Sequence, residues 1–276
     1  MFDHLAEKIP YQTVFKSADI QLDVKRLDLI HTEISGNKFF KLKENFKQAK
    51  QQGLQQILTF GGAYSNHIAA TAAACQRFGF KSIGIIRGEE LAHQPLNPTL
   101  ATAQKAGMQL HFVSRHTYRQ RNETEYQQNL LQQFPNSYLI PEGGTNALAV
   151  LGCQDILSDH DLEQYDVISA AVGTGGTLAG LIEKSRPQQH ILGFSAVKGD
   201  FLQHDVQQWT MKKNWQITDA YCGGGYAKTT PELFHFMQAF EAEHTIPLEQ
   251  VYTAKMMVGL FDLIEQNYFP HGSRIL

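Results

Sequence analysis

The amino-acid sequence predicts an α/β fold made of two doubly wound lobes, each built on a parallel sheet. Short apolar, strand-like runs alternate with amphipathic helical stretches along the chain, which is the pattern of βαβ units. Glycines at positions 53, 79 and 107 follow three of the helical stretches, as glycine commonly does at helix C-termini. Because ligands of open α/β sheets bind beyond the carboxyl ends of the strands, we expect the functional site in the crevice there.

The first lobe is predicted from strands and helices that alternate along the chain. The predicted strands cover residues 56–60, 82–87 and 109–113, and the predicted helices cover residues 41–52, 66–78 and 98–106. The polar stretch 115–133 is rich in Gln, Asn, Arg and Glu and is predicted to form a solvated helix. Residues 137–146 close this lobe, and a strand at 167–172 opens the second.

These elements divide the chain into two predicted domains. The larger domain combines residues 1–36 with residues 146–276, and the smaller domain covers residues 37–145 and carries Lys38 at its start. A chain of 276 residues is long enough for two such domains.

Composition excludes several classes of partner. The chain is 42% hydrophobic and 18% charged with a formal net charge of -3, and no stretch is dense in Lys and Arg, so nucleic acid is not expected as a partner. The first ten residues lack the apolar core of a signal peptide, and no later segment has the length needed to cross a bilayer. We therefore expect a cytoplasmic protein without a membrane partner.

The three cysteines, Cys75, Cys153 and Cys222, are widely spaced and form no Cys-x-x-Cys pair. This pattern supports neither a disulfide framework nor a zinc site, so no metal is expected and each thiol is predicted to be a small buried group.

A glycine-rich loop joins the predicted strand 167–172 to a helix through Val172-Gly173-Thr174-Gly175-Gly176-Thr177-Leu178. Consecutive small residues before a helix allow several backbone N–H groups to point into one concavity, where the helix dipole favours an anion. No Gly-Lys-Ser/Thr follows, and Leu178 replaces the third glycine of the dinucleotide fingerprint. A compact monophosphate fits this loop better than a pyrophosphate, and a glycine turn without a ligand is the alternative.

Two further motifs contain residues able to contact a ligand. In Gly61-Gly62-Ala63-Tyr64-Ser65-Asn66-His67, Ser65 and Asn66 are ordinary helix N-caps as well as possible ligand contacts. His67 is not assigned a catalytic role, because a histidine in a first helical turn is more often structural or solvated. Tyr226 follows three glycines and Tyr252 precedes Thr253. Such tyrosines are core anchors about as often as they are catalytic.

Lys38 is the strongest indication of function. It lies in Ser35-Gly36-Asn37-Lys38, after a strand-like stretch and at the predicted start of a helix. Lysine is the usual Schiff-base former, and a helix N-terminus or a neighbouring cation favours its neutral amine. The alternative is a solvated lysine at a helix start.

Together these motifs resemble the 1-aminocyclopropane-1-carboxylate deaminase and D-cysteine desulfhydrase family. Its members are pyridoxal 5'-phosphate enzymes of fold type II, the fold of the tryptophan synthase β-subunit. The resemblance covers nearly the whole chain and is given by four motifs in the family's order. They are Ser-Gly-Asn-Lys at 35–38, Gly-Gly-Ala-Tyr-Ser-Asn-His at 61–67, the glycine loop at 173–177, and Val-Tyr-Thr-Ala-Lys-Met-Met at 251–257.

The resemblance implies a role for each of these residues. Lys38 would bind the cofactor as a Schiff base and then move the substrate α-proton. Asn66 would donate a hydrogen bond to the cofactor's phenolic oxygen, and Ser65 would receive the substrate carboxylate. Tyr226 and Tyr252 would line the substrate side. The cofactor phosphate would be bound by Gly173, Thr174, Gly175, Gly176 and Thr177.

The identity of Thr253 bears on the substrate. The resemblance implies a glutamate here in the deaminases, where it keeps the pyridine nitrogen protonated, and a hydroxyl in its place should leave the ring a weaker electron sink. This favours the desulfhydrases, and hence β-elimination from a small amino acid, with D-cysteine giving pyruvate, ammonia and sulfide. Ring-opening deamination of 1-aminocyclopropane-1-carboxylate is the alternative. The family also implies a homodimer.

Two further interpretations remain open. Family members usually continue past the strand near Arg274 into a His-Thr-Gly-Gly loop, and this sequence stops before it. Either the sequence is incomplete or a wall of the site is lost, which would leave a pyridoxal-phosphate-binding protein with little activity. A nucleotide-binding protein could use the same glycine loop, but it would leave Lys38 and Asn66 without a purpose.

Overall fold

The structure is a computed structural model that describes residues 1–6 and 8–276. It confirms the predicted α/β class with largely parallel sheets. The strands are β1 (Tyr11–Lys16), β2 (Ile20–Lys25), β3 (Gln56–Gly61), β4 (Lys81–Arg87), β5 (Met108–Val113), β6 (Ser137–Ile140), β7 (Val167–Val172), β8 (His190–Ser195), β9 (Trp215–Thr218) and β10 (Ser273–Ile275). The α-helices are α1 (Asn37–Gln51), α2 (Asn66–Phe78), α3 (Pro98–Lys105), α4 (Arg115–Arg119), α5 (Thr124–Gln133), α6 (Ala147–Gln154), α7 (Asp159–Gln164), α8 (Gly176–Lys184), α9 (Phe201–Gln207), α10 (Pro231–His244) and α11 (Thr253–Glu265).

The chain forms two compact units. Unit 1 comprises Met1–Ile9 and Leu27–Gly152, and unit 2 comprises Pro10–Arg26 and Cys153–Leu276. Residues 1–9 group with unit 1 because the buried Phe2 ring packs against aromatic rings of α1 and α2, whereas the predicted division placed them in the larger domain. The assignment of a larger phosphate-binding domain and a smaller domain stays a prediction.

Unit 1 is built on a sheet in the order β5-β4-β3-β6, and every strand pair described in it is parallel. Apolar side chains cover both faces, as expected for a doubly wound sheet. One cluster combines Leu58 and Phe60 of β3 with Tyr118, and a second combines Ile86 of β4 with Ile68 of α2. This packing holds the carboxyl ends of β3 and β4 beside the start of α2.

Local signals predicted most helix boundaries of unit 1. The helix α2 matches the predicted range, with Ser65 as its N-cap and Gly79 in the left-handed conformation after its last residue. The helix α1 begins at Asn37, earlier than predicted, and places Lys38 in its first turn. The strand that precedes Lys38 is β2, which ends at Lys25, and residues 27–29 form a 3₁₀ turn between β2 and α1.

The prediction of one continuous helix over 115–133 is wrong. The chain forms α4, a 3₁₀ turn and then α5, and the backbone of Glu123 is extended between them, with ψ near 130°. The side chain of Gln127 donates a hydrogen bond to the Arg121 carbonyl at the break, which satisfies a group that a continuous helix would have bonded internally. Polar composition predicted solvation of this stretch but contained no signal for the break.

Unit 2 is built on a sheet in the order β1-β2-β10-β7-β8-β9 among the described residues. The strand β1 pairs antiparallel to β2, and the remaining pairs are parallel. Its core includes Leu22 of β2, Phe194 of β8 and Leu260 of α11. Because β10 lies between β2 and β7, the last strand of the sequence completes the centre of this sheet.

The three cysteines are free and buried, which confirms the prediction of small buried thiols. Burial raises the pKa of the Cys75 thiol. Over residues 1–6 and 8–276, no helix combines the length and apolar character needed to cross a membrane.

Candidate cofactor and substrate site

Lys38 is the second residue of α1. Gly36, just before the helix, has φ of 63° and ψ of -152°, a backbone conformation that disfavours side chains with a Cβ. The lysine side chain is half-buried. Its position in the first turn places the amine at the positive end of the helix dipole.

Ser65 and Asn66 lie where β3 turns into α2. The Ser65 hydroxyl accepts the Ile68 N–H at 3.3 Å, which confirms the capping interpretation for Ser65. Asn66 is the first residue inside the helix, so the capping interpretation is wrong for Asn66. The Asn66 side chain is exposed at the first residue of α2 and makes no hydrogen bond within the described part of the chain. Its amide is therefore available to a ligand.

His67 is the second residue of α2, and the charge of Lys38 acts on its ring. The ring is buried, and burial together with the charges of Lys38 and Lys41 holds the pKa of His67 well below its usual value, so the imidazole is neutral. Thr59 donates its hydroxyl to the Ile140 carbonyl, so Nε2–H of His67 is the donor in its 2.8 Å contact with that hydroxyl. The buried Nδ1 has no hydrogen-bond partner within the described residues.

Lys41 is a residue that the sequence analysis missed. Its side chain is 1% exposed, and its ammonium donates to the Gly143 carbonyl at 3.0 Å and to the Thr145 hydroxyl at 2.8 Å. The run Lys41-Leu42-Lys43 resembles a solvated helix face, which concealed it. The available signal is its spacing of three residues from Lys38, because such residues share one helix face. Unit 1 thus brings Lys38, Lys41, His67 and the Ser65–Asn66 turn together.

The glycine loop of unit 2 joins β7 to α8. Gly175 precedes the helix with φ of 76°, and a Cβ built on it would lie 2.8 Å from Val206 Cγ2. A Cβ on Gly173 would lie 2.9 Å from the Tyr252 ring. The first N–H groups of a helix have no partner within the helix and favour an anion. A glycine-lined cradle at a helix N-terminus fits a phosphate group, so the residues present suit the predicted cofactor.

Tyr252 and Tyr226 lie beside this loop in unit 2. Their hydroxyl oxygens are 3.5 Å apart and their rings are 6.2 Å apart in an edge-on arrangement. Tyr226 is 53% exposed, which argues against a role as a core anchor. The Thr253 hydroxyl accepts the Glu249 N–H at 2.8 Å at the start of α11, so it caps a turn in this structure.

Lys255 is a buried lysine of α11. Its ammonium donates to the carbonyl oxygens of Cys222 at 2.8 Å and Gly225 at 2.9 Å. Desolvation by burial lowers the pKa of this ammonium. These bonds hold the glycine turn that leads into Tyr226.

Within the described ranges, no group of three or more His, Cys, Asp or Glu side chains could hold a metal ion. Unit 1 supplies an amine, hydroxyls and an amide, and unit 2 supplies a glycine-lined phosphate cradle and tyrosine hydroxyls. This set suits covalent and hydrogen-bonding chemistry on an anionic organic cofactor.

Two α/β units carrying these groups define a pyridoxal-phosphate enzyme of fold type II. The family model described as "Pyridoxal-phosphate dependent enzyme" matches residues 8–276, and the chain belongs to that family. The predicted cofactor and the prediction of an enzyme are thereby confirmed.

Relatives confirm the resemblance found in the motifs. The chain is 29% identical to a Thermotoga maritima protein named "Putative 1-aminocyclopropane-1-carboxylate deaminase", over 88% of this chain and 84% of that protein. It is 26% identical to the Arabidopsis thaliana mitochondrial "Bifunctional D-cysteine desulfhydrase/1-aminocyclopropane-1-carboxylate deaminase", over 90% of this chain and 68% of that protein.

Solved structures confirm the fold. A crystal structure described as an ACC deaminase homologue matches 99% of this chain and 88% of its own with a TM-score of 0.81 at 24% identity. The crystal structure of an O-ureido-L-serine synthase matches 100% of this chain and 89% of its own with a TM-score of 0.72 at 13% identity. The roles of the individual site residues stay predictions.

Proposed function

We propose that the protein is a pyridoxal-phosphate-dependent lyase that eliminates a β-substituent from a small amino acid, with D-cysteine as the model substrate. The overall reaction would convert D-cysteine and water to pyruvate, ammonia and hydrogen sulfide. The family and its bifunctional plant relative support the reaction class. The choice of elimination rests on Thr253 beside Tyr252, where the family resemblance implies a glutamate in the deaminases.

Bound pyridoxal phosphate supplies an electron sink for the negative charge that develops at the substrate α-carbon. Lys38 is the proposed covalent anchor of the cofactor and the base that accepts the α-proton with its neutral amine. The position of Lys38 in the first turn of α1, with the Lys41 ammonium fixed one turn away, supports this role because a helix N-terminus and a neighbouring cation both favour a neutral amine.

The remaining predicted residues would bind the cofactor and orient the substrate. The loop Gly173–Thr177 would bind the cofactor phosphate, and Asn66, whose amide is exposed, would donate a hydrogen bond to the phenolic oxygen. Ser65 would hold the substrate carboxylate at the turn before α2, where backbone N–H groups are available. Tyr226 and Tyr252 would line the substrate side of the site.

Thr253 would act on the pyridine nitrogen. A hydroxyl stabilises a protonated ring nitrogen less than a carboxylate does, so the pyridine ring would be a weaker electron sink. A weaker sink suits a substrate with a good leaving group on its β-carbon, such as a thiolate. The engagement of the Thr253 hydroxyl with the Glu249 N–H fixes its orientation at the start of α11.

The proposal is tested by supplying the pyridoxal-phosphate-loaded protein with D-cysteine, L-cysteine and 1-aminocyclopropane-1-carboxylate. Release of sulfide and pyruvate from a cysteine supports elimination. Turnover of 1-aminocyclopropane-1-carboxylate to 2-oxobutyrate and ammonia without sulfide release from either cysteine would replace it with ring-opening deamination. The name of the Thermotoga maritima relative favours that second function.

Two variants establish the role of the lysine. We expect Lys38→Ala to abolish both the yellow absorbance and turnover, because no other group would anchor the cofactor covalently. Lys50→Ala removes an exposed lysine of the same helix and should leave both unchanged. A Lys38→Ala protein that released sulfide at the rate of the unaltered protein would overturn the assignment.

We also propose a homodimer, which the family resemblance supports. The measured mass of the protein in solution by light scattering tests the dimer.

A further inference from the structure

A cavity of about 320 Å³ opens in unit 1 beyond the carboxyl end of β4. We call it the arginine pocket, because four of its six lining side chains are arginines. They are Arg87, Arg115, Arg119 and Arg121, and the others are Tyr118 and Glu142. None of these residues belongs to the cofactor and substrate site described above.

Tyr118 is the buried aromatic residue of the arginine pocket. Its side chain is 2% exposed and its hydroxyl donates to a Glu142 carboxylate oxygen at 2.6 Å. The other oxygen of Glu142 accepts Nε–H of Arg121 at 2.5 Å. The Arg121 guanidinium lies 5.2 Å from the centre of the Tyr118 ring, and the Arg87 guanidinium lies 6.0 Å from it. Cation–π contacts and the shared carboxylate hold these guanidiniums in place.

The pocket carries an excess of positive charge. Glu142 pairs with Arg121, and Glu90 pairs with Arg115 at 2.9 Å. Within residues 1–6 and 8–276, Arg87 and Arg119 have no acidic partner. Like charges gathered in a concavity repel one another, and an anion placed among them removes that repulsion.

Arg87 also lies beside the turn that carries Ser65 and Asn66. A Cβ built on Gly62 would lie 3.7 Å from a terminal nitrogen of Arg87. One lining residue of the arginine pocket therefore lies beside this turn.

We propose that the arginine pocket binds a small oxyanion carrying two negative charges, of which the phosphate group is the model. The planar guanidinium forms paired hydrogen bonds with phosphate and carboxylate oxygens, and Arg87 and Arg119 have their donors available. The proposal does not depend on the amino-acid substrate. It also differs from the cofactor phosphate loop, which lies in unit 2.

The test uses the pyridoxal-phosphate-loaded protein, so that the cofactor already occupies its own phosphate site. Inorganic phosphate is titrated by calorimetry at constant ionic strength set with potassium chloride, and malonate is titrated in a second series. We expect saturable binding of at least one of the two dianions. Binding of both indicates recognition of charge, and binding of phosphate or malonate alone identifies the phosphate or the dicarboxylate as the source of the oxyanion.

Two variants locate the bound ion. We expect Arg87→Gln and Arg119→Gln each to weaken binding by about tenfold or more, because each removes a charged donor. Arg77→Gln removes an exposed arginine of α2 outside the pocket and should leave the affinity within about twofold. Arg119 is exposed, so its variant keeps the test valid if Arg87→Gln folds poorly. The absence of saturable binding of either dianion, or equal affinity in Arg119→Gln and the unaltered protein, would overturn the proposal.

Discussion

The buried ammonium of Lys255 donates a 2.8 Å hydrogen bond to the carbonyl oxygen of Cys222, and with its second bond to Gly225 it spans the glycine turn before Tyr226. Both carbonyls lie in a turn whose three glycines, Gly223 to Gly225, have φ between 62° and 128°. Glycines in this region lose much conformational freedom on folding. The lysine supplies interactions that hold this turn in one conformation.

We therefore expect Lys255→Met to lower the free energy of unfolding by about 2 kcal/mol, the scale of hydrogen bonds from a charged donor. Catalytic efficiency should fall chiefly through a higher KM, because the turn positions Tyr226 without touching the reacting atoms. Urea unfolding and steady-state kinetics measure the two effects. Lys213→Met removes an exposed lysine of unit 2 and is the control. A Lys255→Met protein with unchanged stability and KM would contradict the positioning role.

His67 predicts a specific dependence of stability on pH. Its pKa is well below the value of 6.5 typical of an exposed histidine, so the unfolded chain binds a proton in a range where the folded protein does not. The contribution of this group to the free energy of unfolding is therefore constant above pH 6.5. It falls as the pH drops below 6.5, by up to about 1.4 kcal/mol for each pH unit.

The variant His67→Gln should lose part of this acid sensitivity, because glutamine does not titrate and its amide can still donate to Thr59. Urea unfolding at several pH values from neutral to mildly acidic measures the slope. His93→Gln changes an exposed histidine and controls for the loss of any imidazole. Equal slopes in His67→Gln and the unaltered protein would contradict burial of a neutral ring. His111 and His190, whose pKa values burial also lowers, contribute to the slope that remains.

Gly175 allows a steric test of the phosphate cradle. We expect Gly175→Ala to destabilise the protein and weaken its affinity for pyridoxal phosphate, because alanine adds left-handed strain and a contact of 2.8 Å with Val206. Gly79→Ala has nearly the same φ, 75° against 76°, but its Cβ would meet nothing within 4 Å. Gly79→Ala should thus show a stability loss of about 1 kcal/mol with unchanged cofactor affinity. Equal cofactor affinity in both variants would argue against the cradle.

The tyrosine pair predicts coupled effects on turnover. Removing either hydroxyl with Tyr226→Phe or Tyr252→Phe should lower kcat/KM by about tenfold, the scale of one functional hydrogen bond. Because the two oxygens are 3.5 Å apart, the double variant should lose less than the sum of the two free-energy changes. Tyr268→Phe, at an exposed position of unit 2, is the control. Full additivity would show that the hydroxyls act independently.

Signals carried by neighbouring residues predicted much of the fold and part of the site. The range of α2 follows from the Ser65 cap and the left-handed Gly79, both of which act within one helical turn. The glycine loop before α8 and the lysine at the start of α1 were predicted for the same reason. By contrast, the break at Glu123 has no counterpart in composition, because it is stabilised by a side chain that bonds back to the preceding turn.

The sequence by itself determined the α/β class, the places where strands pass into helices, and the residue types available for chemistry. These depend on backbone preferences and apolar patterns within a few residues. Only the tertiary structure decided that β10 pairs between β2 and β7, that Lys41, Lys255 and His67 are buried, and that four arginines line one cavity. Burial and long-range pairing depend on residues distant in the chain that pack together, so no local pattern encodes them.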